Sequence, residues 1–285
     1  MSIHAPIVLR AAEEEDWQHI RGLVSVASRA HSHLDWHDPK AWLGIPSFVV
    51  LRSGSRLLAL LAMVPEVDGV AWLRMAAVEN GLDVRWQIDR LYHVSRFELM
   101  KLGITRLAVL SSDPWLEPVL VDWGFAASEL VLVLIRARGG ALPCAATVPE
   151  IRKSNPEDDL AAIVGIDNAA FALPWSYSKE MLALALRQAS YSTVAEVDDQ
   201  VVGYQISTGG GQNAHMARLA VHPGSQKQGI GRALASDVIR YFESVSALAI
   251  SVNTQEYNYA SMQLYRSLGF EGSGDSHMVW QMWLH

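Results

Sequence analysis

The chain has 285 residues, half of them hydrophobic, and a formal net charge of −7. That length can bury one large core or two ordinary ones, and the acid excess excludes a general nucleic-acid binder, which needs clustered Lys and Arg to meet phosphates. A single cysteine, Cys144, excludes disulfides and thiol-pair metal or redox centres, and no apolar run approaches the length of a membrane span.

Taken in order, the opening Met-Ser-Ile-His-Ala-Pro has neither the basic start nor the apolar stretch of a secretory signal, so a cytoplasmic location is expected. Residues 7–17 then read as a short strand running into an acidic helix start. His31-Ser-His-Leu-Asp-Trp-His-Asp38 gathers three histidines and two aspartates, which are metal-ligand types. Trp36 breaks the spacing of a metal-binding H-x-H-x-D-H run, so the segment reads as a polar loop and no metal is expected. Residues 48–63 show two alternating apolar strands joined by a polar turn, and Ala76-Ala-Val78 and Trp123-Gly-Phe125 follow. Residues 137–148 are glycine, proline and small residues without period, a linker with a boundary near residue 143.

The series then repeats. Residues 149–159 match 7–17, residues 193–207 match 48–63, Leu219-Ala-Val221 matches Ala76-Ala-Val78, and Leu268-Gly-Phe270 matches Trp123-Gly-Phe125. Val78 and Val221 stand 143 residues apart, Phe125 and Phe270 145 apart, so the spacing is nearly constant. One fold written twice is expected, with domains at 1–138 and 149–285 and a linker at 139–148. Of the ten tryptophans, Trp17, Trp42, Trp72, Trp86, Trp123, Trp280 and Trp283 fall among apolar positions and read mostly as core.

The second copy carries the most informative stretch, Arg218 to Leu234. An apolar strand over 216–221 meets a turn with the spacing Gln226-x-x-Gly-x-Gly, and an amphipathic helix over about 229–244 follows. Gly229 and Gly231 let backbone N–H groups converge, and the helix start adds its free donors and positive dipole end. That is a place to hold a phosphate. The first copy has Trp86 and Ile88 at those positions and Leu120 opposite Tyr265, so bulky side chains are expected to deny it a phosphate.

This stretch resembles the coenzyme motif of the GNAT superfamily of acyl-CoA-dependent N-acyltransferases. Residues 251–270 resemble the superfamily's N-x-x-A-x-x-L-Y-x-x-x-G-F element: Asn258, Leu264, Tyr265, Gly269 and Phe270 fall on it, with Ser261 one place from the small Ala260. The resemblance implies an α+β (mixed α/β) protein of two tandem GNAT folds, each a mixed, mostly antiparallel sheet flanked by helices, the first degenerate. It implies acetyl-CoA as co-substrate, no metal, and acetyl transfer to a primary amine, on a small molecule or a peptide N-terminus, by direct attack in a ternary complex. Leu219, Ala220 and Val221 would line the pantetheine and thioester. Gln226, Lys227, Gln228, Gly229, Ile230, Gly231 and Arg232 would hold the pyrophosphate, with Asn258 on the pantetheine or adenine side. Tyr265 would protonate the leaving thiolate, since a phenol carries its proton at ambient pH.

The base is more open. Where some families place a strand glutamate this chain has Asn253, which takes no proton. Other families place a base six residues before the strand valine, here His215, an imidazole that can accept one. By strand alternation His215 should share a face with Ala217, Leu219 and Val221. Glu256 and His222 are in reserve. Phe171-Ala-Leu-Pro-Trp-Ser176 resembles an F-x-x-P-W-S stretch of ribosomal-protein N-terminal acetyltransferases, which makes Phe171, Trp175 and Asn253 candidate acceptor contacts; a Pro-Trp packing corner is the other reading. The tandem layout also resembles mycothiol synthase, leaving acylation of an amino-sugar conjugate open, and a non-catalytic acyl-CoA-binding regulator stays open too. No nucleic-acid or membrane partner is expected, and the protein is expected to be a monomer or weak dimer.

Overall fold

The computed structural model describes residues 6–33, 35–140, 142 and 149–284. Most of the expected linker, Cys144 included, lies outside them. The first half runs β1 (Ile7–Ala11), α1 (Trp17–Val26), β2 (Arg29–Ser32), β3 (Phe48–Ser53), β4 (Arg56–Pro65), β5 (Val70–Val78), α2 (Val84–Lys101), β6 (Arg106–Ser111), α3 (Glu117–Asp122) and β7 (Ala126–Ala137). The second runs β8 (Glu150–Lys153), α4 (Pro156–Ala170), α5 (Lys179–Gln188), β9 (Tyr191–Val197), β10 (Gln200–Gly210), β11 (Asn213–Val221), α6 (Ile230–Ser244), β12 (Ala249–Gln255), α7 (Tyr259–Ser267) and β13 (Glu271–Trp283). Among the described residues no helix is long and apolar enough to cross a membrane.

Two compact units form: residues 1–128 with 278–285, and residues 129–277. The spatial division therefore differs from the sequence repeat at both chain crossings. β7 begins in the first unit, but its residues 131–137 pair antiparallel with β12 of the second. The end of β13, Met278 to Trp283, pairs antiparallel with β6 of the first. Each half thus ends in a strand built into the other unit, an intramolecular form of strand exchange.

In the first unit the order is β1-β3-β4-β5-β6-β13, with β2 also on β5. Alternation sorts its two faces. Val49, Leu51, Leu61 and Met63 pack with Ile88, Leu91 and Leu99 of α2, while Phe48, Val50, Leu60 and Ala62 pack with Ile20 and Leu23 of α1. In the second unit the order is β7-β12-β11-β10-β9-β8. One face buries Ala214, Met216, Ile250 and Val252 against Val238, Ile239 and Phe242 of α6 and Tyr265 of α7. The other is covered by α4 and α5, which bury Ile163, Ile166, Met181 and Leu182. Among the described residues the β5–β6 and β11–β12 pairs are parallel and the others given above antiparallel, so the sheets are mixed and mostly antiparallel.

Local chemistry sets the boundaries. Asp198 and Asp199 both take positive φ between Val197 and Gln200, a two-residue turn whose twist suits the β9–β10 hairpin. Asn155 caps α4 by accepting from the Glu157 N–H, Pro156 begins the helix, and three acidic residues sit at its positive end. The repeat persists in detail: Arg10 binds Asp16 as Arg152 binds Asp159. Of the expected core tryptophans, Trp42 and Trp72 are buried, but Trp86 and Trp283 are more than half exposed, resting on Arg90 and Arg106.

Candidate active site

Strands β11 and β12 pair only from Asn213↔Ala249 to Met216↔Val252. Beyond that rung β11 continues to Val221 beside β10, and β12 continues to Gln255 beside β7. The edges of residues 217–221 and 253–255 are left open to each other. A bulge marks the split: Ile206 pairs with Arg218 and Ser207 with Met216, so Ala217 is the extra residue. Bulges re-aim strand edges, and this one frees the β11 edge that the sequence assigns to a pantetheine arm.

The glycine turn follows the end of β11, with Gly231 beside the side chains of Leu219 and Val221. Lys227 and Gly229 take left-handed φ of 62° and 84°, and α6 starts with no side-chain cap. Its first helical bond runs from the Ala233 N–H to the Gly229 carbonyl. Among the described residues, the six consecutive N–H groups of 227–232 meet no acceptor. They form a donor nest at a helix N-terminus, the arrangement an anion fills. Lys227 and Arg232 form no ion pair among the described residues. The Gln226 side chain is used inside the turn, its Nε2 donating to the Val221 carbonyl at 3.1 Å. Asn258 caps α7, accepting from the Ser261 N–H at 3.2 Å.

Tyr265 is buried on the α6 face, its ring 5.5 Å from that of Phe270. Burial raises its pKa above the ordinary phenol value, so it stays protonated. His215 stands on the opposite face. The bulge at Ala217 inverts the alternation: Ala214, Met216 and Leu219 pack toward α6, while His215 faces away with Arg218. The expectation that His215 shares a face with Leu219 and Val221 is thereby corrected, because one extra residue in the strand shifts its period. His215 Nδ1 lies 2.9 Å from Ser251 Oγ, and burial lowers its pKa, so the imidazole is neutral at neutral pH. Asn253 is exposed on that same face, at the lip of the slot.

The same face carries a network that sequence reasoning missed. Arg218, 8% exposed, lies with its guanidinium carbon 3.8 Å from the ring centres of both Phe171 and Tyr177. Its Nε and NH2 donate to the two oxygens of fully buried Asp167 at 2.5 and 2.9 Å, and NH2 also donates to the Trp175 carbonyl at 2.7 Å. Tyr204 donates its hydroxyl to Asp167 as well. A bidentate Arg–carboxylate pair of this kind fixes the 171–177 corner over the sheet. The legible signal was a charge inside an apolar strand, Arg218, and another on an apolar helix, Asp167: buried charges need partners.

The pattern of the Acetyltransferase (GNAT) family matches residues 160–270. A ribosomal protein bS18-alanine N-acetyltransferase of Salmonella typhimurium is 30% identical over 112 residues, 39% of this chain and 74% of the relative; that of Escherichia coli K12 is 29% identical over the same length. The chain belongs to the GNAT acetyltransferase family. Among solved structures, a tandem GNAT protein from the clavulanic acid biosynthesis pathway covers 98% of both chains at a TM-score of 0.69 and 16% identity. A GCN5-related N-acetyltransferase of Sphaerobacter thermophilus gives 0.65 and 14%, over 98% of this chain and 96% of its own. These likenesses extend the GNAT fold to the whole chain.

The first GNAT unit has the bulge too, with Arg74 extra between Met75 and Leu73, 143 residues before Ala217. Its slot edge is occupied. Strand β2, whose last two residues open the segment expected as a polar loop, pairs antiparallel with β5 from Arg29↔Val78 to Ser32↔Met75, past the end of the β5–β6 ladder. His31 Nδ1 sits 2.6 Å from Asp113, just after β6, so the chain fills the position between the two strands. The start of α2 is also occupied: the Asp83 side chain accepts from the Trp86 N–H at 2.9 Å. Of the two expected bulky residues, Ile88 is buried in the core and does not stand in the turn, while Trp86 is half exposed in the first turn of α2; a carboxylate cap and an inserted strand are present as well. Among the described residues no group of three or more His, Cys, Asp or Glu is arranged to hold a metal ion.

Proposed function

We propose that the second unit moves an acetyl group from acetyl-CoA to a primary amine, and that the acceptor is a peptide N-terminus. The observation that carries this reading is the donor nest of 227–232 beside Leu219 and Val221 at the end of β11, a strand whose edge toward β12 is unpaired past Met216. A diphosphate suits the nest, and a secondary-amide arm suits an unpaired strand edge, to which it can add as a further strand. Leu219, Ala220 and Val221 supply that edge, and Ala217 or its neighbours supply the N–H that meets the developing oxyanion.

The chemistry takes two protons from the ammonium nitrogen and brings one to the sulfur. The amine nitrogen attacks the thioester carbonyl, the new C–N bond forms and the C–S bond breaks. His215, neutral at working pH, takes the ammonium proton; Tyr265 gives its proton to the departing thiolate and is restored by the second nitrogen proton, which is lost as the amide forms. No covalent enzyme intermediate is needed. The peptide preference rests on the likeness of a 112-residue stretch of the chain to enzymes named for a protein alanine and on the Phe171 to Tyr177 corner held by Arg218 of β11. The first unit holds no coenzyme in this reading, because β2 and Asp83 occupy the places it would need.

Calorimetry with acetyl-CoA and thiol release with a panel of free and blocked peptides test the proposal. Binding without release for any amine would favour a regulatory acyl-CoA binder, and absence of binding defeats the reading outright.

A further inference from the structure

We infer that Glu129 is a specificity-determining residue that receives a positive charge on the acceptor, several residues from the amine being acylated. The inference rests on the acceptor side of the reading above, and it begins with register. In the β7–β12 ladder Leu132 and Leu134 pack in the α6 core, so Val131, Val133 and Ile135 point to the other face, with Ser251, Asn253 and Gln255 opposite them. Glu129 has the parity of Val131, and the ladder still holds there, since the Glu256 N–H donates to the Leu130 carbonyl. His215, Asn253 and Glu129 therefore share one face of the sheet, the face away from the α6 core.

The half-buried Glu129 carboxylate is aimed by the 171–177 corner. Trp175 Nε1 donates to Glu129 Oε1 at 2.8 Å, while the Trp175 carbonyl is held by Arg218 on β11. One residue thus links the β11 side to β7, with the slot between them. Glu129 has no cation within ion-pair distance among the described residues, and its second oxygen meets no donor. An ionised carboxylate, partly desolvated, with one neutral donor and no counter-charge, is incomplete by itself. A cation from outside completes it. Four strand residues separate Glu129 from Val133, the partner of Asn253, or about 13 Å along β7. That distance puts the cation on the body of the acceptor, within reach of an arginine or lysine at the second or third position of a peptide, and not at the reacting nitrogen.

The test compares Ala-Arg-Arg-Tyr with Ala-Cit-Cit-Tyr, in which citrulline keeps the shape of arginine and removes its charge. Affinities are measured by calorimetry with coenzyme A present, for the native protein and for Glu129→Gln, whose amide oxygen still accepts from Trp175. The native protein should prefer the arginine peptide by about 10-fold, the scale of one charge-assisted contact at a partly exposed site; Glu129→Gln should bring the ratio to about 1, and added salt should narrow the native ratio. A native ratio near 1, or a ratio that survives in Glu129→Gln, overturns the inference. Thiol release from acetyl-CoA is read separately: if neither peptide is acetylated while the ratio behaves as stated, the transfer reading fails and the charge-binding role stands.

Discussion

His215 and Tyr265 lie on opposite faces of the second sheet, with the split between β11 and β12 between them. In the transfer proposed above, the group that accepts a proton and the group that donates one are kept apart by the strand edges assigned to the thioester. Each has its pKa moved in the useful direction by burial, downward for the imidazole and upward for the phenol. The arrangement lets an amine approach from one face while the thiol departs on the other.

Tyr265→Phe keeps the ring in its core position and removes only the hydroxyl that carries the proton. Thiol release should fall about 100-fold or more while affinity for acetyl-CoA holds. Equal turnover by the two proteins would remove Tyr265 from the acid role, and a parallel loss of affinity would mark it as a packing residue.

For His215 the sign of the pH dependence follows from burial. The folded pKa lies below the ordinary 6.5, so the neutral base is present above that lowered value and is lost as pH falls through it. The acid limb of kcat/KM should therefore lie below pH 6.5 in the native enzyme. His215→Gln should lose that limb, run slower at neutral pH, and recover part of its rate as pH rises and free amine accumulates. A loss that is the same at every pH argues for a structural role through Ser251.

The Arg218–Asp167 pair concerns stability more than chemistry. Both are buried, and Asp167→Ala would strand the guanidinium without its carboxylate, at a cost of about 3–5 kcal/mol. Denaturant unfolding should show that loss, with the fluorescence of Trp175 changing as the corner loosens. If stability moved by less than 1 kcal/mol, roughly the value of an exposed pair, the corner would not depend on Arg218.

Motif and periodicity exposed much of this in the sequence. The phosphate turn at 226–231, the strand before it and the helix after it are local, and local patterns survive reading one residue at a time. The duplication was visible through constant spacings such as Val78 to Val221. What stayed hidden depends on pairing. A bulge at Ala217 has no sequence mark, yet it moves His215 to the other face. Nothing in Arg29 to Ser32 announces that it will cover the edge of β5, and nothing in β7 or β13 announces that each will finish the other unit's sheet. Long-range register is set by which edges remain open, and that is a property of the assembled sheet.

The glycines offer a test that separates backbone strain from ligand contact. Gly229 has a φ of 84° with nothing within 4 Å of an added Cβ, so Gly229→Ala should cost roughly 1–2 kcal/mol through its left-handed backbone alone. A Cβ on Gly231 would meet Leu264, Val221 and Leu219 at 3.5 to 3.8 Å, ordinary contact distances. Gly231→Ala should therefore fold as stably as the native protein but bind acetyl-CoA less tightly, because the methyl stands beside Leu219 and Val221, where the start of α6 meets the edge assigned to the coenzyme. Unchanged affinity would place the diphosphate elsewhere.

The two units also predict a stoichiometry. A coenzyme arm needs an open strand edge; among the described residues the edge of β11 is open past Met216, while that of β5 is already paired with β2. A diphosphate needs free helix-start donors, and α2 has given one to the Asp83 carboxylate, whose charge would repel phosphate, while α6 has no such cap. Calorimetry should give one acetyl-CoA per chain. Gly229→Trp, which combines the unfavourable φ with bulk at the mouth of the nest, should bring that number to zero. Residual binding of one equivalent in this variant would mean that the first unit binds coenzyme despite its inserted strand, and β2 would then have to leave the edge of β5 to admit it.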